Sequence, residues 1–192
     1  MFSYADLIAV TDFVADAWSL GVDRDWSANA GTLDWTCSFT ADHCYDATLA
    51  IGVFLASRRT EAYPDLGEFS VGPDPRPEQF VEAIRVAGRL VAGVVASTPP
   101  EVRAIIWRNP TETRPPSDFP PRAGLEAILH GHDVAAGLGI AYEPPADLCA
   151  RLRDHTRDWR HWKGGVWPGL SITDDPWDDL LVGSGRARFI AH

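Results

Sequence analysis

Residues 124–139, GLEAILHGHDVAAGLG, decide how this chain is read. Leu125, Ile128, Leu129, Val134 and Leu138 recur at helical spacing, and Gly139 follows the last of them as a stop. The stretch predicts a helix from Arg122 to Leu138. Glu126 and His130 lie four positions apart on it, and residues i and i+4 share one face. A carboxylate and an imidazole stacked this way reach one metal ion together, and an imidazole from a facing helix completes a three-donor set with open positions. Surface ion pairs use the same spacing, so the apolar neighbours Leu125, Ile128 and Leu129 carry the case for partial burial. His132 lies about 200° around the helix from His130 and does not share its ion; a surface position, or one supporting a ligand from behind, is expected. Asp133 either hydrogen-bonds a ligand or caps the local turn.

The facing imidazole is His43. Between Phe39 and Arg59 the residues His43, Asp46, Ala47, Ala50, Ile51 and Phe54 share a face, which predicts a long helix with His43 near its start, turned inward. On the residues alone, a helix histidine bonded to a neighbouring backbone group or carboxylate is an equal alternative. An earlier helix runs from Ser3 to Leu20, with Leu7, Val10, Val14, Ala17 and Trp18 in phase and Gly21 behind them. The connecting segment GVDRDWSANAGTLDWTCS reads as a loop pinned by Trp26 and Trp35. A third helix spans Glu78 to Ala96 behind Pro77, and a fifth spans Ala146 to Trp159. EVRAIIW, residues 101–107, reads as a helical turn or a strand, and NPTETRPPSDFPPR, residues 109–122, as too proline-rich for either. The C-terminal segment is irregular, with one turn at Trp177 to Leu181. Without internal repeats or strong alternation of period two, the pattern is all-α: four long helices and long crossover loops in a single domain over residues 1–192.

Bulk properties narrow the function. The 192 residues are 45% hydrophobic and 23% charged, enough for one buried core. A formal charge of −10, from 27 acidic and 17 basic residues, disfavours nucleic acid and anionic lipid surfaces as partners. No apolar run approaches the ~20 residues that span a bilayer, and the N-terminus lacks the order of a signal peptide, so a cytoplasmic location is expected. Cys37, Cys44 and Cys149 show no CxxC spacing and read as reduced, Cys44 as an apolar filler. Of the eight tryptophans most are expected in the core, with some lining a pocket. His155 and His161, in DHTRDWRHWKGG, either form a second metal site or belong to a solvated basic turn.

Three segments together, WSANAGTLDWTCSFTADHCYDA at 26–47, GLEAILHGHDVAAGLG at 124–139 and DPWDDLLVGSGR at 175–186, resemble the DinB-like metal-binding superfamily. The pattern is most similar to the actinobacterial branch related to the N-terminal domain of mycothiol-dependent maleylpyruvate isomerase. Trp35, His43, Glu126, His130, Asp133, Leu138 and Gly139 carry it. The resemblance implies a four-helix bundle holding a divalent ion, zinc in the thiol-using branch, on His43, Glu126 and His130. It also implies a low-molecular-weight thiol such as mycothiol as cosubstrate, and transfer to, or isomerisation of, a small electrophilic substrate. Arg186 matches a recurrent terminal feature, either binding an anionic cofactor group or pairing with an acidic neighbour. One departure is His132, where the branch commonly has an aromatic residue, often Trp. Alternative readings are a metal-containing or stress-linked ligand-binding protein without turnover, and a biosynthetic enzyme in which the metal activates water or a carbonyl. A monomer or homodimer is expected.

Overall fold

The computed structural model describes residues 1–163 and 167–189. Helix α1 (Tyr4–Ser19) starts at a capping box in which Ser3 and Asp6 satisfy each other's backbone N–H groups. Helix α2 (Cys37–Ser57) is capped by Thr36, whose hydroxyl accepts from the Phe39 N–H at 3.1 Å. Helix α3 (Pro77–Ser97) carries its proline in the first turn, where the missing N–H costs nothing. Helix α4 (Phe119–Leu138) ends at Gly139 in the left-handed region, φ 66°. Helices α5 (Ala146–Thr156) and α6 (Pro176–Gly183) follow.

The described residues are thus mostly helical, with one antiparallel hairpin, β1 (Ala104–Arg108) paired with β2 (Thr111–Arg114). The hairpin corrects the expectation for residues 109–122. The prolines there lie outside the strand or in first turns: Pro116 opens a short 3-10 turn, and Pro120 and Pro121 belong to the first turn of α4. Helix α4 therefore starts three residues earlier than its apolar pattern suggests. Helix α5 stops at Thr156 rather than Trp159, and the turn expected at Trp177 is a full helix of eight residues capped by Asp175.

Helices α1 and α2 each pack against both α3 and α4, which meet one another more sparsely. Between them lies one apolar core that includes Val10, Val14, Ile51, Ile84, Val91 and Ile128. Close approach depends on small residues. A Cβ at Gly137 would stand 2.4 Å from the Asn29 carbonyl oxygen and 2.5 Å from Cys37 Sγ. That glycine lets the loop leading into α2 lie directly on α4, which fixes how the two helices present their polar faces.

The tail is fastened by polar contacts. Asp179, 2% exposed, accepts from Arg153 at 2.8 Å and from the Thr173 N–H at 2.9 Å, holding α6 to α5. His155 accepts the Phe2 N–H at 3.2 Å and contacts Asp118 at 3.3 Å, so it ties the N-terminus to the start of α4. No helix among the described residues is long and apolar enough to cross a membrane.

Candidate metal centre

The packing of α2 against α4 brings His43 to Glu126 and His130. One ligand atom from each lies within 4.8 Å of the others, and all three side chains are partly accessible. His130 Nε2 stands 3.6 Å from Glu126 Oε2, and the two imidazoles meet edge to face with centroids 5.0 Å apart. Donors sharing a tetrahedral ion at about 2.0–2.2 Å would be separated by about 3.3 Å. The observed separations, up to 4.8 Å, are wider, so the side chains would have to draw together around an ion. Among the described residues this is the one group of three or more His, Cys, Asp or Glu side chains in such an arrangement.

Helix α4 extends the cluster in both directions through residues of the same stripe. One turn before Glu126, Arg122 forms an ion pair with Glu126 Oε1, leaving Oε2 toward His130. Beyond His130, Asp133 Oδ2 lies 3.2 Å from His130 Nδ1. Arg186 donates to the same carboxylate twice, Nε to Oδ1 at 2.9 Å and Nη2 to Oδ2 at 2.7 Å. An ionised carboxylate only accepts, so His130 Nδ1 carries a proton, which leaves Nε2 as the ring atom to meet an ion shared with His43 and Glu126. This is the orientation a metal-binding histidine needs, with a carboxylate behind it.

The electrostatics agree with that picture. Burial opposes ionisation of Asp133, but hydrogen bonds from His130 and Arg186 outweigh it and hold its carboxyl well below the usual carboxylate range. For Glu126, burial acts upward and is likewise overcome by Arg122, His130 and His43, leaving the group below its ordinary value. His43 is pushed down by burial and by the neighbouring His130, against Glu126, Asp46 and Glu68. Glu126 held ionised and His43 held toward its neutral form put two of the three donors in the protonation state that a metal takes up, with Asp133 ionised behind the third.

The remaining candidates fall elsewhere. Arg186 spends Nε and one terminal nitrogen on Asp133, beside a cavity of about 320 Å³ that it shares with His132 and Arg188. Of the two readings of Arg186, pairing with an acidic neighbour is the contact observed. His132 is 5% exposed rather than on the surface: its Nε2 accepts from the Phe189 N–H at 3.4 Å, and its ring packs on Tyr142 and Trp177. The turn at 157–163 is amphipathic: Arg157 and Lys163 are exposed, whereas Trp159 and Trp162 are buried and His161 packs against both, together with Trp107 and Trp167, so His161 belongs to the buried side and not the solvated one. Burial first, and then Arg122, push the His161 imidazole down to about 3. Cys44 is fully buried, its thiol pushed up by burial, in keeping with a filler.

Sequence reasoning passed over Arg122, although the spacing that links Glu126 to His130 also links Arg122 to Glu126. It also read Trp35 as a loop anchor. Trp26 is the anchor, buried, stacked on Phe80 and donating to the Gly21 carbonyl at 2.9 Å, whereas Trp35 is 41% exposed beside the cluster. No family model, curated protein or solved structure matches this chain.

Proposed function

We propose that the protein is a metal-dependent enzyme on a DinB-like four-helix bundle, holding a divalent ion on His43, Glu126 and His130 and activating a small thiol such as mycothiol for transfer to, or isomerisation of, a small electrophilic substrate. One observation carries the reading: two imidazoles and a carboxylate from facing helices converge within 4.8 Å, on side chains that are all partly accessible. Three protein donors leave a coordination position for another molecule, the arrangement of catalytic rather than structural zinc. Nitrogen and carboxylate donors also accept nickel, iron or manganese, and zinc is the preferred choice.

The chain's own residues divide the work. Asp133 fixes the His130 tautomer and ring direction, and Arg186 fixes Asp133. Arg122 orients Glu126 by holding one of its oxygens. When bound, the ion lowers the pKa of a thiol at its open position and supplies a thiolate nucleophile at neutral pH. Buried Cys37, Cys44 and Cys149, whose thiols burial pushes up, are unsuited to that role, so the thiol comes from a second molecule.

Metal analysis of protein purified without added metal, followed by incubation with mycothiol and an electrophilic probe, tests the reading. About one equivalent of ion and thiol-dependent turnover are expected, with both lost in His43→Ala. A folded His43→Ala protein that kept its metal and its turnover would overturn the site. Metal binding with a ligand-induced rise in melting temperature but no turnover would identify a binding protein instead.

A further inference from the structure

Two large aromatic side chains stand in solvent beside the cluster. Trp35 is 41% exposed and Phe39 55%, whereas Trp18, Trp26, Trp159, Trp162 and Trp177 are buried. They form an edge-to-face pair with centroids 4.9 Å apart. The Trp35 ring meets His43 edge-on at 5.2 Å and lies 27° from parallel to His130 at 6.5 Å, so one indole borders both imidazoles.

The platform is held in place. The Trp35 carbonyl accepts the Ala30 N–H at 2.8 Å, Asn29 and Thr36 form a bridge around it, and Thr36 caps the helix whose first turn carries Phe39. Phe39 precedes His43 by four residues, and the two therefore share a face of α2. Burying side chains of this size stabilises a chain, so leaving them in water forgoes that gain. Here a fixed backbone keeps that apolar surface in water within contact of the candidate ligands. Aromatic faces recognise flat rings by stacking, and this surface adjoins the position where a ligand would meet the ion.

We propose that Trp35 and Phe39 form a platform for a planar aromatic body on a small molecule bound at the ion, the electrophilic substrate of the reading above and not its thiol, so that they set specificity at the centre. The proposal rests on the metal reading above. It is tested with two chelators that share one head group, acetohydroxamate and benzohydroxamate, titrated onto the zinc-loaded protein. Benzohydroxamate is expected to bind at least about tenfold more tightly, about 1.4 kcal/mol. In Trp35→Ala/Phe39→Ala that preference should vanish, while zinc stoichiometry and acetohydroxamate affinity stay unchanged. The Trp35→Leu/Phe39→Leu protein, which keeps apolar cover without aromatic faces, should lose most of the preference as well. An equal preference in native and both variants overturns the platform. Loss of the aromatic pair that converts a dimer to a monomer, with no chelator preference in the native protein, also overturns it and makes the patch a self-association face. Failure to bind zinc or either chelator overturns the metal reading itself, a distinct result.

Discussion

Asp133→Asn is the most incisive perturbation of the proposed centre, because it removes one charge and almost no volume from behind His130. The Asp133 side chain is 6% exposed and accepts three hydrogen bonds: from His130 Nδ1 at 3.2 Å and from Arg186 at 2.9 and 2.7 Å. An asparagine offers one acceptor oxygen and one NH2 group. With its oxygen toward His130, the NH2 faces Arg186 Nε, donor against donor. With its NH2 toward His130, the ring must accept at Nδ1, and its proton moves to Nε2, where the metal needs a lone pair. The first orientation weakens the protein by about 1–3 kcal/mol through the unsatisfied donor. The second removes a ligand, and even in the first the imidazole loses the basicity that a charged partner confers. Supporting groups of this kind are worth about 10–100-fold in metal affinity, or about 1.4–2.7 kcal/mol. Competition titration of zinc against a chromophoric chelator measures the loss, with far-UV circular dichroism confirming the helices. A folded Asp133→Asn protein with native zinc affinity would refute the claim that Asp133 sets the His130 tautomer.

Two further outcomes follow from the geometry. His161 is held down to about 3 in the folded chain against about 6.5 unfolded, so the unfolded state takes up the proton first as pH falls, and stability is lost through the window between about 6.5 and 3. Urea denaturation at pH 7.5 and 5.0 should show the native protein losing up to about 2 kcal/mol more than His161→Leu; parallel losses would remove His161 as the cause. Gly137→Ala places a Cβ 2.4 Å from the Asn29 backbone oxygen, and the loop has to move, at a cost of about 1–3 kcal/mol; an unchanged melting temperature and unchanged Trp fluorescence would show that the close contact does not fix the loop.

Much of this arrangement is legible in the chain because it is local. Helices α1 and α3 match their apolar stripes to within a residue or two, and α2 to two residues at each end, since cap and periodicity agree. His43, Glu126 and His130 came from i, i+4 spacing plus one facing helix, and that geometry survives in three dimensions. The hairpin was harder: AIIWR is a short apolar run without alternation, and TETR is polar and only half-buried, so neither strand signals its partner. His132 is buried because Phe189 and Trp177, some 50 residues downstream, fold back over it, and no local pattern encodes that return. The exposure of Trp35 has the same origin. Whether an indole anchors a loop or stands beside a site depends on which helix the loop lies against, and here Asn29, Ala30 and Cys37 lie close on Gly137 of α4.

The charges along α4 give the centre its chemical bias. Glu126 is paired with Arg122, and Asp133 with Arg186, so the stripe is neutral over its length while still offering an oxygen and a nitrogen to an ion. Asp46 and Glu68 are the acidic groups felt at His43 from the other side. Unpaired, Glu126 and Asp133 would together offset a dication and leave it a weak Lewis acid. Paired, they orient the donors without cancelling the ion's charge, and a dication held there retains its pull on whatever fills the open position. That pull favours an anionic occupant over a neutral one, which is the electrostatic condition for turning a thiol into a thiolate near neutral pH. In the proposed centre the two arginines would thereby act on the ion through the carboxylates they hold.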